Sequence, residues 1–204
     1  LANMSHEMRT PLNAIIGMAE LASREKTESK LKKYVNQIKS SGLILLEIIN
    51  DVLDFSKAES GKLELNEGEY DFAELLNNLI NITKVRIGDK NVRFFVEINP
   101  AIPRNLYGDD IRIKQTILNL LGNAAKYTNE GEIVLDVDYE EYGDEIRLLV
   151  SVKDTGIGIK EEDLDKIFSP FQQVDTKKNR KVEGSGLGLS IAKQLIELMK
   201  GTYG

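Results

Sequence analysis

Ser5-His6-Glu7-Met8-Arg9-Thr10-Pro11-Leu12-Asn13 holds the only histidine in a chain of 204 residues that has no cysteine. His6 is therefore the one side chain whose ordinary pKa lies near neutrality, so nitrogen-nucleophile or proton-shuttle chemistry at pH 7 has to pass through it. Around it Leu1, Met4, Met8, Leu12, Ile15, Ala19 and Ala22 recur at steps of three and four, which gathers them on one face of a helix. On that wheel His6 falls nearly opposite the apolar stripe. Thr10, one turn further on, lies on the same side, close enough for both side chains to meet one reactant. Pro11 has no N–H for the Glu7 carbonyl and crowds it, which predicts a bend one turn after His6.

Outward from this stretch, Ser23 to Thr27 is polar and breaks the pattern. Leu31, Val35, Ile38, Leu45, Ile48, Ile49, Val52 and Phe55 then restore a helical stripe to about Ala58, a helix roughly 45 Å long at 1.5 Å per residue. One hairpin of two such helices cannot bury both stripes, whereas two hairpins side by side make a four-helix bundle. The expectation is a homodimer through residues 1–60; the alternative is that the hairpin packs on the rest of the chain. Glu59-Ser60-Gly61-Lys62 supplies a helix stop, and the alternating Leu63-Glu64-Leu65 opens a second domain over 61–204.

Within that domain the apolar period changes repeatedly. It predicts helices near Phe72–Ile87 and Ile111–Lys126, and strands near Val92–Ile98, Glu132–Tyr139 and Glu145–Val152. Tyr142-Gly143-Asp144 supplies a turn for an antiparallel hairpin of the last two strands. Such an order argues for one helix layer on one sheet face and against a doubly wound sheet. The expected fold class is thus α+β and multidomain: an N-terminal helical hairpin forming a dimeric four-helix bundle, then a two-layer α/β sandwich with a mixed sheet.

Three clusters carry polar or glycine residues where packing alone would not want them. In Asn119-Leu120-Leu121-Gly122-Asn123-Ala124-Ala125-Lys126-Tyr127 the two asparagines share a helical face and Lys126 follows one turn later. Amide oxygens suit a Mg²⁺ that keeps water and phosphate oxygens, and a lysine nearby would meet phosphate charge. An asparagine pair also serves as a solvated or capping feature. In Asp154-Thr155-Gly156-Ile157-Gly158-Ile159, a carboxylate at a strand end can accept from the exocyclic amino group of adenine but would face the carbonyl oxygen of guanine. Its plain alternative is a turn with an aspartate cap. In Gly184-Ser185-Gly186-Leu187-Gly188-Leu189-Ser190, glycines open a helical run over 191–199, leaving N–H groups and a favourable dipole end for anions. Ordinary tight turns have the same glycines, and the Rossmann spacing is absent. Between these clusters Lys177, Lys178, Arg180 and Lys181 form a basic stretch that reads as a phosphate cover or as a solvated charge run.

Composition bounds the rest. A content of 41% apolar and 29% charged residues suits a globular protein, and a net charge of −6 disfavours a general role in coating nucleic acid or anionic membranes. The missing cysteines exclude disulfides, thiolate metal sites and cysteine nucleophiles. No run approaches the roughly 18 apolar residues of a membrane span. Because Leu1 opens the chain, a fragment is expected, in which any membrane contact comes only through missing upstream segments.

Taken in order, these motifs resemble the sensor histidine kinases of two-component signalling, over essentially the whole chain. Ser5 to Leu12 resembles the phosphoacceptor box, Asn119 to Tyr127 the N box, and Asp154 to Gly158 and Gly184 to Gly188 the two glycine boxes. Ile167-Phe168-Ser169-Pro170-Phe171 resembles the phenylalanine segment before the nucleotide lid. The resemblance implies a dimerisation and phosphotransfer hairpin (1–60) followed by an ATP-binding domain (61–204) of the gyrase, Hsp90, histidine kinase and MutL type. It implies that His6 takes the γ-phosphoryl group of ATP and passes it to an aspartate of a response-regulator receiver domain. By the same likeness Glu7 accepts the second imidazole N–H, and Thr10 positions water when the regulator is dephosphorylated. It implies that Asn123 and Asn119 hold Mg²⁺, Lys126 and Arg180 meet phosphate charge, Tyr127 lies against ribose or base, and Asp154 reads adenine. By the same resemblance Gly156, Gly158, Gly184, Gly186, Leu187 and Gly188 would line the nucleotide. A cytoplasmic location follows from the same family.

Some features depart from the pattern. Five residues precede His6, the chain stops at Gly204 where further strands are expected, and Glu183 stands where many relatives have glycine. Two other functions share these residues. One is a non-catalytic dimeric scaffold binding a receiver domain or nucleotide. The other is a gyrase-type ATPase, which would want a carboxylate where Asn119 stands.

Overall fold

The computed structural model describes residues 2–143, 145–164, 166–170 and 186–204, with side chains from Ser5 onward except that of Glu7. It divides into two compact units, one built on Leu1–Leu63 and the other on Glu64–Phe168 and Gly188–Gly204.

The first unit is a helical hairpin of α1 (Ala2–Arg24) and α2 (Glu28–Glu59). The polar break at its tip is held by Glu25, whose carboxylate accepts the Lys26 and Thr27 N–H groups at 2.9 and 2.8 Å. Helix α1 runs through Pro11 without interruption, and the proline side chain is buried. Leu12, expected inside the stripe, is 45% exposed. The contact line along α1 passes instead through Met8, Pro11, Ile15, Met18 and Ala22. One neighbour covers only part of a wide apolar arc, so the positions beside that line face outward. The same holds on α2, where Ile48 is buried but Leu43, Ile44, Leu46 and Leu53 are exposed. The expected stop at the end of α2 is a Schellman turn, with Gly61 at φ 66° and Lys62 N–H donating to the Lys57 carbonyl at 2.9 Å.

The second unit contains β1 (Gly68–Asp71), α3 (Phe72–Ile87), β2 (Asn91–Ile98), β3 (Asn105–Gly108), α4 (Asp110–Tyr127), β4 (Glu130–Tyr142), β5 (Glu145–Asp154) and α5 (Gly188–Leu198). Strands β2 and β4 pair in parallel with Phe94 beside Ile133, and β4 and β5 pair antiparallel with Val137 beside Val150, giving a mixed sheet ordered β2-β4-β5. Alternation decides its inner face: Ile133, Leu135 and Val137 are fully buried, while Arg93, Phe95 and Glu97 point away. Phe72, Leu75, Leu76 and Leu79 of α3 and Ile117, Leu121, Ala124 and Ala125 of α4 close the core above that face. This is the two-layer sandwich expected from the sequence.

Two features differ from expectation. Leu63 to Leu65, whose alternation marked the start of the second domain, forms no strand, and the Asn66 N–H that follows donates to Asp109 at 2.8 Å. Strands β1 and β3 instead form a separate antiparallel pair, with Gly68 beside Gly108. Both long helices of this unit start on aspartate caps: Asp71 accepts from the Glu74 N–H and Asp109 from the Arg112 N–H, each at 3.0 Å. Among the described residues no helix is long and apolar enough to cross a membrane.

Candidate functional site

In the hairpin, His6 and Thr10 are both exposed, as the helical wheel requires. The Thr10 hydroxyl donates to the His6 carbonyl at 3.2 Å, folding back along the helix in the manner of threonines in helix interiors. Pro11 lies one residue beyond, so this turn lacks the N–H that would otherwise reach the Glu7 carbonyl. An exposed imidazole is open to a reactant, and a hydroxyl one turn above it can reorient toward a water or a second reactant. The Glu7 side chain falls outside the described residues.

In the α/β unit the candidate residues collect around the C-terminal half of α4. Asn119, Asn123, Lys126 and Tyr127 are all partly buried there. Asn119 donates through Nδ2 to the Gly188 carbonyl at 3.0 Å, which ties mid-α4 to the first residue of α5 and leaves its amide oxygen as the free acceptor. Asn123 follows one turn later. The Lys126 ammonium lies 4.8 Å from the centre of the Tyr127 ring, a cation–π contact that stores the lysine beside the aromatic face.

Asp154 ends β5 and turns back toward the end of α4. Its Oδ1 accepts from the Gly156 N–H at 2.8 Å and from the Thr128 hydroxyl at 3.3 Å. Oδ2 takes no donor from the described residues, so one carboxylate oxygen is fixed and the other is left to a ligand. Gly156 is required by close approach: a Cβ there would stand 2.6 Å from the Tyr127 carbonyl oxygen and 2.7 Å from Asp154 Oδ1. Gly158 is required by its backbone instead, with φ 67° and open space around it. Ile157 and Ile159, between and after these glycines, are exposed apolar groups of the kind that cover a flat ring.

Gly186 has φ 62°, Leu187 is fully buried, and Gly188 opens α5, whose Ser190, Ile191 and Leu195 are buried. Arg180, Gly184 and the basic stretch over 177–181 lie outside the described residues. Among those described, no group of three or more His, Asp or Glu side chains is set to hold a metal. Asn119 and Asn123 stand one turn apart on α4 and carry amide oxygens, which are donors of the kind a hard cation takes.

Sequence reasoning missed Thr128, which is completely buried and supplies the second donor to Asp154. The sequence shows only a threonine directly after Lys-Tyr, and its partner is 26 residues away. It also missed Lys90, whose ammonium donates to the carbonyls of Ala125, Lys126 and Thr128 at 2.6, 3.3 and 3.1 Å. No local pattern marks a lysine whose partners are main-chain oxygens.

The profile described as "His Kinase A (phospho-acceptor) domain" matches residues 1–61, and that described as "Histidine kinase-, DNA gyrase B-, and HSP90-like ATPase" matches 108–203. The chain is 42% identical over 205 residues to the autoinducer 2 sensor kinase/phosphatase LuxQ of Vibrio vulnificus, an alignment covering 98% of this chain and 24% of that protein. The crystal structure of full-length ShkA in complex with AMPPNP superposes with a TM-score of 0.70 at 31% identity, covering 98% of this chain and 41% of that one. The histidine kinase ThkA, solved in complex with the response regulator protein TrrA, superposes with a TM-score of 0.60 at 29% identity, covering 98% of this chain and 54% of that one. The chain spans 10% to 24% of the length of the curated relatives it matches.

Proposed function

The chain belongs to the sensor histidine kinases, and from that premise we propose that it is an autokinase core which phosphorylates itself on His6 from ATP and passes the group to a receiver-domain aspartate. An imidazole nitrogen of His6 attacks the γ-phosphorus, a nitrogen–phosphorus bond forms, and the bond from phosphorus to the β,γ-bridging oxygen breaks to leave ADP. Glu7 accepts the proton on the other ring nitrogen and raises the nucleophilicity of the attacking one. In the second step the receiver carboxylate attacks the same phosphorus, and the imidazole leaves. Thr10 serves a separate hydrolysis, turning its hydroxyl from the His6 carbonyl to orient a water that attacks the regulator's aspartyl phosphate, releasing inorganic phosphate and the free carboxylate.

On the donor side, Asn123 and Asn119 would hold Mg²⁺, which supplies neutralisation of phosphate charge. Lys126 would leave the Tyr127 ring for phosphate, freeing that ring for ribose or base, and Arg180 would add charge from the basic stretch. Gly156, Gly158, Gly184, Gly186, Leu187 and Gly188 would give the nucleotide close access to backbone. Positioning and charge neutralisation are what phosphoryl transfer asks of a protein. Residues 1–60 would act as the dimerisation and phosphotransfer domain and 61–204 as the ATP-binding domain, on the cytoplasmic side where ATP is available. The exposed apolar positions of the hairpin support a homodimer.

The observation that carries this reading is the anchoring of Asp154 by two donors on one oxygen, which presents the other as an acceptor for an adenine amino group. Incubation with Mg-ATP should yield an acid-labile, alkali-stable phosphate that is absent from His6→Gln. Equal labelling of that variant would sink the proposal.

A further inference from the structure

The last carbonyls of any helix lack N–H partners and carry the negative end of its dipole. At the end of α4 this creates a particular difficulty. Asp154, itself an anion, is held against the same end, because Gly156 approaches the Tyr127 carbonyl and the Thr128 hydroxyl bonds the carboxylate. Negative charge beside a helix C-terminus is unfavourable unless a cation compensates.

Lys90 is that cation. It sits in the turn between α3 and β2, fixed by its own N–H on the Ile87 carbonyl at 3.3 Å and by the Val92 N–H on its carbonyl at 2.8 Å. From there its ammonium reaches 35 to 38 residues along the chain to three carbonyl oxygens, those of Ala125, Lys126 and Thr128. Three donors on one tetrahedral group use its full capacity. The three acceptors bracket Lys126 and Tyr127 and end on the residue whose hydroxyl orients Asp154.

We propose that Lys90 is a positioning residue of the nucleotide site: its ammonium clamps the end of α4 and so sets Lys126, Tyr127 and, through Thr128, the base-reading carboxylate of Asp154. The inference rests on the ATP-site reading and adds to it a residue that touches no ligand. Without the clamp the carbonyls turn to water, the Thr128 hydroxyl loses its fixed direction, and Asp154 is held by Gly156 alone. If the competent arrangement is then present about a tenth of the time, apparent affinity falls about tenfold.

The test uses the whole chain, with AMPPNP and its guanine counterpart as probes in the presence of Mg²⁺. Lys90→Met should bind AMPPNP about tenfold more weakly and lose a similar factor in preference for adenine over guanine. Lys90→Arg, which keeps several charged donors, should restore both. Ile87→Val, which thins the core beneath the same turn, should lower the melting temperature without changing the preference. Removing both Lys90 and the Thr128 hydroxyl, as Lys90→Met with Thr128→Val, should weaken AMPPNP binding by less than the product of the two single effects. Should Lys90→Met fail to fold, Lys90→Gln, with one neutral donor group, should show an intermediate loss. Wild-type binding together with unchanged affinity and preference in Lys90→Met, or in Lys90→Gln where it stands in, overturns the Lys90 assignment alone. Absence of AMPPNP binding by wild type overturns the ATP-site reading and the assignment with it.

Discussion

Gly156→Ala is the most direct probe of the proposed base-reading geometry, because the added methyl has a fixed direction and three immediate neighbours. It would stand 2.6 Å from the Tyr127 carbonyl oxygen, 2.7 Å from Asp154 Oδ1 and 2.9 Å from the Tyr127 carbonyl carbon. Comfortable separations for a methyl carbon are about 3.5 Å or more, so each contact is short by most of an ångström. The Tyr127 carbonyl cannot retreat, since it belongs to the last residue of α4 and the neighbouring carbonyls are held by Lys90. Relief must come from Asp154 swinging away or from the 154–158 turn lifting off the helix end.

Either movement breaks the 2.8 Å bond from the Gly156 N–H to Asp154. A hydrogen bond to a charged group contributes about 1.5–3 kcal/mol, which corresponds to roughly ten- to a hundredfold weaker nucleotide binding if the free carboxylate oxygen is displaced with it. Overpacking itself adds about 1–3 kcal/mol of destabilisation. Gly158→Ala separates space from backbone strain. Nothing lies within 4 Å of the new Cβ, but φ of 67° is costly for alanine, by about 1–2 kcal/mol. Titration of both variants with a fluorescent ATP analogue, alongside thermal melts, should show the larger affinity loss in Gly156→Ala. Affinity within twofold of wild type in Gly156→Ala, with an unchanged melt, would refute the argument about Asp154.

Three further outcomes follow from the packing and the charges. Leu121→Ala empties a fully buried position between α4 and the sheet and should lower unfolding free energy by about 3 kcal/mol in urea titrations; a loss under 1 kcal/mol would mean that the core collapses around it. The Asp71 carboxyl is held below the usual carboxylate range by its hydrogen bond from Arg104 and by the Glu74 N–H, so its stabilisation is complete above the unfolded value of about 3.9 and disappears as pH falls through the lower folded value. The difference in urea midpoint between wild type and Asp71→Asn should therefore be constant from neutrality to about pH 5 and shrink below about pH 4; a difference that persists unchanged into strong acid would contradict that pairing. Leu46→Asp places a charge on an α2 position that is 54% exposed in one chain and should convert a dimer to a monomer in sedimentation while leaving AMPPNP binding unchanged; a variant that stays dimeric would place the interface elsewhere.

How far the sequence revealed the molecule depended on the range of each interaction. Hairpin helices, the α3 and α4 helices and the β4–β5 turn announce themselves within a dozen residues, through period and turn chemistry. Strands β1 and β3 do not, because four residues carrying Glu69 and Tyr107 outward show no clear alternation, and their pairing joins segments nearly forty residues apart. Asn119, Asn123, Lys126 and Tyr127 could be proposed together from the sequence because one helix carries them. The pairing of Thr128 with Asp154 and the reach of Lys90 depend on tertiary folding alone. Leu12 exchanged roles with Pro11 because a helical wheel shows the width of an apolar arc but not which part of it a single neighbour will cover.

That last point bears on why the two proposed chemistries would sit on two kinds of scaffold. The α/β unit closes a core of its own, with Leu79, Leu121, Ile133 and Leu135 fully shielded, so the residues around Asp154 are held by long-range bonds that one chain can make. The hairpin has no comparable core: Ile48 is the one buried large aliphatic on α1 and α2 among the described residues, at 9% exposure, while seven of the leucines, isoleucines and valines on α2 remain exposed. Its stability must come from covering that surface, since amphipathic helices gain little from propensity alone. Under the proposed homodimer, His6 would stand on the element whose order depends on association, and the proposed nucleotide residues on the one that does not. Nucleotide binding should be a property of each chain at any concentration, whereas transfer to His6 should follow the population of assembled hairpins.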